Sequence, residues 1–465
     1  MKHIKKIVLA LFFILPFVLG LIGFLIEGEE ILDAAYYSFA LYAVNPLYEH
    51  KNALIEITRW TAPAVVASGL MVFIKEVSQR VKEFFICSKK DSFALYGDGA
   101  EIADVKKCVE NVVVSKDNSI KDTDNHIIMF KDDKESFRFY NENAEQLNGK
   151  KVFIKSDNIE MFKNDSDKFN ILNFNEMVAR NYWVEHNLMQ YFIKEQKELQ
   201  IAIIGFDSIA QKILEAAVLN NVYSLNQKIT YHIWGDGTVF EAVHSDLDLK
   251  NSDRIIFHPE EWKKDIDLIL KTDRVIFSVL PDLGSLMMLS DKCEKTEIHC
   301  YNLDENILKI INNPDVVSFG QNEKIITKEN ILLNDIYCYA KRLNFKYACL
   351  YETAKESDGD EGVEREWKKL DNFTKNSNIC AASYHLIRQI ITGSVNHTDM
   401  ELAEMEHIRW CRFHFLNHWK EGKTENGKKD SINKIHPCLV PFEELKGEDR
   451  QKNIEAIEVL SELFK

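Results

Sequence analysis

The residues best equipped for chemistry lie near the C-terminus, in the block LAEMEHIRWCRFHFLNHWKEG (402–422), followed by KIHPCLVPFEEL (434–445). On a continuous helix His407, His414 and His418 would fall within about 20° of one line. Arg409 and Arg412 project from a neighbouring face, with Trp410 between them. Indoles, imidazoles and guanidinium forks are the groups that stack on a planar base and hold a phosphate. His407, Arg409, Trp410, Arg412, Trp419, Lys434 and His436 are therefore the expected ligand-binding set, with Arg409 and Arg412 outward-facing because long cationic chains are seldom buried. Competing readings exist for each. A metal on His414 and His418 would lack an acidic or cysteine ligand at a recognisable spacing. Trp410, Leu439 and Phe442 suit a core, and the cations suit a solvated surface.

Two glycine turns are the second candidates. Gly97 and Gly99 occupy the first two places of G-x-G-x-x-G, with Ile102 in the third; Gly205, Asp207 and Ala210 fill the same places further on. A helix N-terminus above open glycine backbone can hold a pyrophosphate. Asp98, Glu101 and Asp207 beside these turns would repel one, so the expected role is a scaffold. A nucleotide-type ligand is the class such turns accept, and no cofactor is required. The acidic run Ser357–Glu366 lacks the spacing of a calcium loop and reads as a solvated connector. No nucleophile elbow, Walker loop, zinc-protease motif or kinase signature is present, so no enzyme is expected.

Apolar runs of about five residues alternate with helical stretches around both turns, which indicates parallel sheets covered on two faces. In the first unit SFALYGDGAEIADVKKCVENVVVS (92–115) reads strand, glycine turn, helix, strand, and further strands are expected at His126–Phe130, Val152–Lys155 and Ile171–Phe174. In the second they are expected before Gly205 and at Ile229–Trp234, Arg254–Phe257, Val275–Leu280 and Ile298–Tyr301. From about Trp367 the chain reads as helical. The nine cysteines all lie at or after Cys87, without a C-x-x-C pair, as in a reducing compartment. A net charge of −15, from 58 basic and 73 acidic residues, disfavours a nucleic-acid polymer as partner.

The N-terminus adds a membrane expectation. Ile7–Ile26 carries no charge, and Ala53–Ile74 is apolar except for Glu56 and Arg59. Lysines 2, 5 and 6 precede the first span; Lys75, Arg80, Lys82, Lys89 and Lys90 follow the second, which places both termini inside a plasma (inner) membrane, two-pass. Between them Ala34–Tyr48 suits a re-entrant helix, with Tyr42, Val44, Asn45 and Pro46 at its tip lining a pore, and hence an oligomer.

The order span, short helix, span, with DAAYYSFALYAV at its centre, resembles the pore module of two-helix potassium channels. It departs at the filter, where Ala43-Val44-Asn45-Pro46-Leu47 replaces T-V-G-Y-G, so no potassium selectivity is expected. Two Rossmann-type units below such a module resemble the regulatory domains of potassium-conductance regulators, and a tetramer follows by analogy. Glu406-His407, Trp410, Trp419, Gly422 and His436-Pro437-x-Leu439-Val440-Pro441-Phe442 resemble the ryanodine-receptor repeat (RyR) domain; Glu421 stands where that family has an aromatic. The expected domains are 1–85, a transmembrane module; 86–197 and 198–325, two α/β Rossmann-like domains; and 326–465, a connector and a small all-α RyR domain. Together the resemblances imply a ligand-gated membrane channel or pore-forming effector sensing a small anionic, nucleotide-derived signal, in bacterial antiviral defence. The alternatives are a housekeeping cation channel regulated by nucleotide or metal at the Rossmann units, a pore-less receptor, and an NAD-dependent membrane-tethered enzyme.

Overall fold

A computed structural model describes residues 2–44, 52–157, 169–194, 198–293, 295–332, 334–351, 353–392, 397–424 and 427–463. The chain divides into two compact units, Met1–Lys90 and Asp91–Lys465.

In the first unit, helix Lys2–Ile26 is followed by the short helix Ile31–Ala40, a 3-10 turn at Leu41–Ala43, and the 35-residue helix Ala53–Cys87. Glycines let these helices approach. A Cβ on Gly23 would stand 2.7 Å from Ile55 Cγ1, and one on Gly20 would stand 3.1 Å from Ser38 Oγ. Phe24, Ala34, Leu41, Ile55 and Ala62 form the small core. Among the described residues Ala53–Cys87 is the helix long and apolar enough to cross a membrane, and a shorter apolar helical stretch, Ile14–Ile26, precedes it. At 1.5 Å per residue the long helix outreaches a hydrocarbon core by roughly 20 Å. Glu56 and Arg59 pair at 3.3 Å, as their spacing predicts.

The second unit contains two parallel sheets. The first has β1 Phe93–Tyr96, β2 Val112–Val114, β3 Asn125–Ile128, β4 Lys151–Lys155 and β5 Asn170–Leu172, in the order β2-β1-β3-β4-β5. The second has β6 Glu198–Ile204, β7 Lys228–Trp234, β8 Arg254–His258, β9 Arg274–Phe277, β10 Glu297–Tyr301 and β11 Val316–Phe319. Its order, β11-β10-β9-β6-β7-β8, is that of a complete doubly wound dinucleotide fold. The sixth strand, β11, was absent from the sequence expectations because four residues after Asn313-Pro314 carry too little pattern. One continuous core joins the sheets: Phe93 and Leu95 pack through Tyr182 and Trp183 of helix Phe174–Glu185 to Ile201 and Ile203, and on to Ile387 and Leu416.

The expected connector needs correcting. Helix Asn334–Leu350 and helix Gly359–Lys368 precede the C-terminal helices Asn372–Thr392, Asp399–Leu416 and Gly447–Leu463. The acidic run is thus largely helical. Most of its polar residues are exposed, but Glu366 is buried and paired with Arg365 at 3.1 Å and Lys369 at 2.8 Å, while Trp367 packs on Ala340, Ile379 and Ala382, and Gly362 admits the ring of Phe345. One buried stripe within a highly charged stretch sufficed to fold it.

Candidate functional site

Helix Asp399–Leu416 organises the C-terminal module. Thr398 and Glu401 cap it reciprocally, which fixes its first turn. It is buried nearly all round because one flank meets the module's other helices and the opposite flank meets the second sheet's helices and loops. His407 Nε2 hydrogen-bonds the Val440 carbonyl at 2.8 Å, and its ring stacks on Trp410 at 5.7 Å. Trp410 meets His436 edge-on at 4.9 Å. The Cys438 N–H donates to His436 Nδ1, and burial lowers the His436 imidazole to about 4, so it is neutral at pH 7.

These groups line a cavity of about 330 Å³, closed by Tyr347 of helix Asn334–Leu350, Tyr351 just beyond its end, Asn378, and Asp449 and Lys452 from the last helix. Arg409 reaches it from within. Its Nε and Nη2 grip Glu406 at 2.9 and 2.7 Å, while the buried Nη1 has no hydrogen-bond partner among the described residues. Lys452 pairs with Asp449 at 3.0 Å. The cavity's lining therefore combines aromatic faces with a guanidinium whose Nη1 group is uncommitted among the described residues. Tyr347, Tyr351, Asp449 and Lys452 were missed by sequence reasoning; the three-residue spacing of Asp449 and Lys452 was the one available signal, and it named no site.

Four expected ligand residues converge here: His407, Arg409, Trp410 and His436. Three do not. Arg412 is wholly buried against the second sheet's connections, with Nε on the Leu249 carbonyl, Nη1 on that of Val218 and Nη2 on Asp253 at 2.7 Å. Asp253 also accepts from Gln227, Ile229 N–H and Asn251. Arg412 is thus a bolt between modules, and the expectation that both arginines would be outward-facing is overturned: each has an acid within reach that compensates its burial. Trp419 fills a core with Cys411, Phe415 and Leu439. Lys434 points at the Asn417 carbonyl on the surface. The histidine line also breaks, since His418 lies beyond the helix end at φ +64° and stacks on His244. Glu421, the departure noted in the motif, binds Lys250 of the second sheet's connections at 3.3 Å.

At the first glycine turn the Gly99 N–H donates to the Met129 carbonyl at 2.8 Å, and a Cβ on Gly97 would collide with that same carbonyl. Lys155 holds Glu101 at 3.2 Å, and the following helix has only seven residues. At the second turn Gly205 sits at φ +93°, and Asp207 caps helix Ser208–Asn220 by accepting the Ala210 N–H at 3.0 Å. That carboxylate occupies the place where a pyrophosphate would sit. Beyond it a wide cleft of about 830 Å³ opens over the ends of β6 to β9, with Asp236, Glu241, Glu260 and Glu261 on its wall. Of the expected pore residues, Tyr42 is half-buried beside the small core, and Val44 is exposed in the left-handed region at φ +55°. Asn45 and Pro46 lie outside the described residues.

Residues 366–464 match the family model of the RyR domain. The matched stretch contains His407, Arg409, Trp410, His436, Asp449 and Lys452 of the cavity, whereas Tyr347 and Tyr351 precede it. No curated protein matches the chain. Among solved structures, one component of the dipicolinate synthase of Bacillus halodurans covers 53% of this chain and 97% of its own length at 8% identity, with a TM-score of 0.23, too low to bear on fold or function.

Proposed function

We propose that this protein is a ligand-gated membrane channel or pore-forming effector. Two spans, Ile7–Ile26 and Ala53–Ile74, anchor it with both termini cytosolic, and an oligomer surrounds the pore. The helical module senses a small anionic, nucleotide-derived signal, the sheets assemble the protomers and pass the change on, and no catalysis is involved. One observation carries the reading: a single helix lines the aromatic cavity with His407, Arg409 and Trp410 and bolts to the second sheet's connections through Arg412. A ligand that shifts this helix must move a buried ion pair in the sheet layer.

The cavity suits such a ligand. Its size falls within the usual range for small-molecule sites. Trp410 and His436 provide faces for a base, and Arg409 Nη1 and Lys452 provide donors for an anion. In the first unit, Leu70, Met71, Val72, Phe73 and Ile74 turn outward, as lipid contact requires.

The test is ion flux from liposomes holding the full chain, across a panel of linear and cyclic nucleotides. One or a few should open the pore, with no potassium preference. If none changes the flux or binds, the channel reading falls. If binding survives Trp410→Ala but is lost with Asp236→Ala, the second reading, a sensor in the 830 Å³ cleft, replaces the first.

A further inference from the structure

A separate cavity of about 130 Å³ lies where helix Phe174–Glu185, helix Ser208–Asn220 and the C-terminal helices meet. Arg180 lines it, and its Nε and Nη2 are buried without a hydrogen-bond partner among the described residues. Those two nitrogens form one edge of the guanidinium, the edge whose parallel N–H bonds match the two oxygens of a carboxylate. The same molecule shows what this edge takes: in Arg409, Nε and Nη2 each receive one oxygen of Glu406. Among the described residues no carboxylate does so at Arg180. Glu215 and Glu176 instead share Lys212, at 2.6 and 3.6 Å. Burial holds the Arg180 guanidinium below the ordinary arginine range, with Glu176 opposing the shift only in part. A buried cation with two orphaned donors is costly unless something fills the site.

We infer that this inter-module cavity binds a small monocarboxylate, with its two oxygens on Arg180 Nε and Nη2 and its apolar body against Leu219, Ile379, Phe413 and Leu416. The guanidinium edge selects a carboxylate by its geometry. Arg180, Lys212, Glu176 and Glu215 sum to zero, so a phosphate dianion would bring one more uncompensated charge than a monocarboxylate and is the more disfavoured. The apolar walls favour a short chain or ring over a bare halide. The site lies outside the aromatic cavity and does not depend on what that cavity binds. Its occupant would touch helix Phe174–Glu185 of the sheet layer and helix Asp399–Leu416 together, so it would strengthen their docking.

The experiment is calorimetric titration of the detergent-solubilised full chain with butyrate and benzoate, with chloride and inorganic phosphate as comparators. Saturable binding of a carboxylate is expected, weakened at least tenfold by Arg180→Gln and not displaced by phosphate. Ala216→Leu keeps the guanidinium and fills the cavity, and it should also abolish binding; it serves if the arginine variant misfolds. No saturable carboxylate binding by the unaltered chain, which would mean that water fills the cavity, would overturn the inference. So would equal affinity in Ala216→Leu, or tighter binding of phosphate.

Discussion

The second sheet and the helical module differ in how their polar groups are committed. The second sheet has the full strand order of a dinucleotide fold, yet its turn is capped by its own Asp207, and the first sheet spends the Gly99 amide on Met129. The helical module has no such strand order, but among the described residues it leaves Arg409 Nη1 buried without a hydrogen-bond partner, on a residue that lines the aromatic cavity. A binding site needs uncommitted donors beside a cavity, and strand order alone does not supply them.

The largest effect that could break this comparison is at the bolt. Arg412→Ala leaves Asp253 buried and uncompensated, and should destabilise the folded chain by about 3–5 kcal/mol without contacting any ligand. Urea unfolding of the solubilised protein measures it; a small loss accompanied by weakened ligand binding would return Arg412 to the site. Next, Trp410→Ala should weaken binding of an opening nucleotide by about 1–3 kcal/mol, the worth of one base–aromatic stack, as read by titration. An unchanged affinity would remove the aromatic cavity from the sensor.

Acid should weaken both regions. Burial keeps His414 at about 3 and His126 of the first sheet at about 4, against about 6.5 in an unfolded chain. The unfolded state then binds more protons below pH 6.5, so stability is full above that pH and falls as pH drops toward the folded values. Between pH 6.5 and 5 the fully buried His414 should account for about 2 kcal/mol. Unfolding curves at pH 7.5 and 5 check this, and His414→Gln should reduce the difference. The smallest effect is at the second turn: Asp207→Ala removes a helix cap and should cost about 1 kcal/mol. NADH fluorescence titrations of that variant sharpen the comparison, because binding that appears there would identify the carboxylate as the obstacle.

Much of the architecture was legible because it depends on local pattern. Parallel strands buried on both faces read as apolar runs, and the glycines at positive φ, Gly97 and Gly205, marked both turns. The HPxLVPF segment and the Glu406–Trp410 block carried the resemblance to the RyR domain, whose family model matches residues 366–464. The helices at 334–350 and 359–368 were illegible for the converse reason: their apolar stripes are thin, and packing on helix Asn372–Thr392 makes them stable.

By itself the sequence determined which side chains could do chemistry, and that two sheets and a helical module would carry them. It could not decide which of Arg409 and Arg412 faces a cavity, although they sit three apart on one helix. Only the tertiary structure placed Asp253 under Arg412 and, among the described residues, left Arg409 Nη1 and the Arg180 edge without an acceptor. The physical reason is that a guanidinium's role is set by where its counter-charge lies. Asp253 is 159 residues from Arg412, a separation that no local pattern encodes.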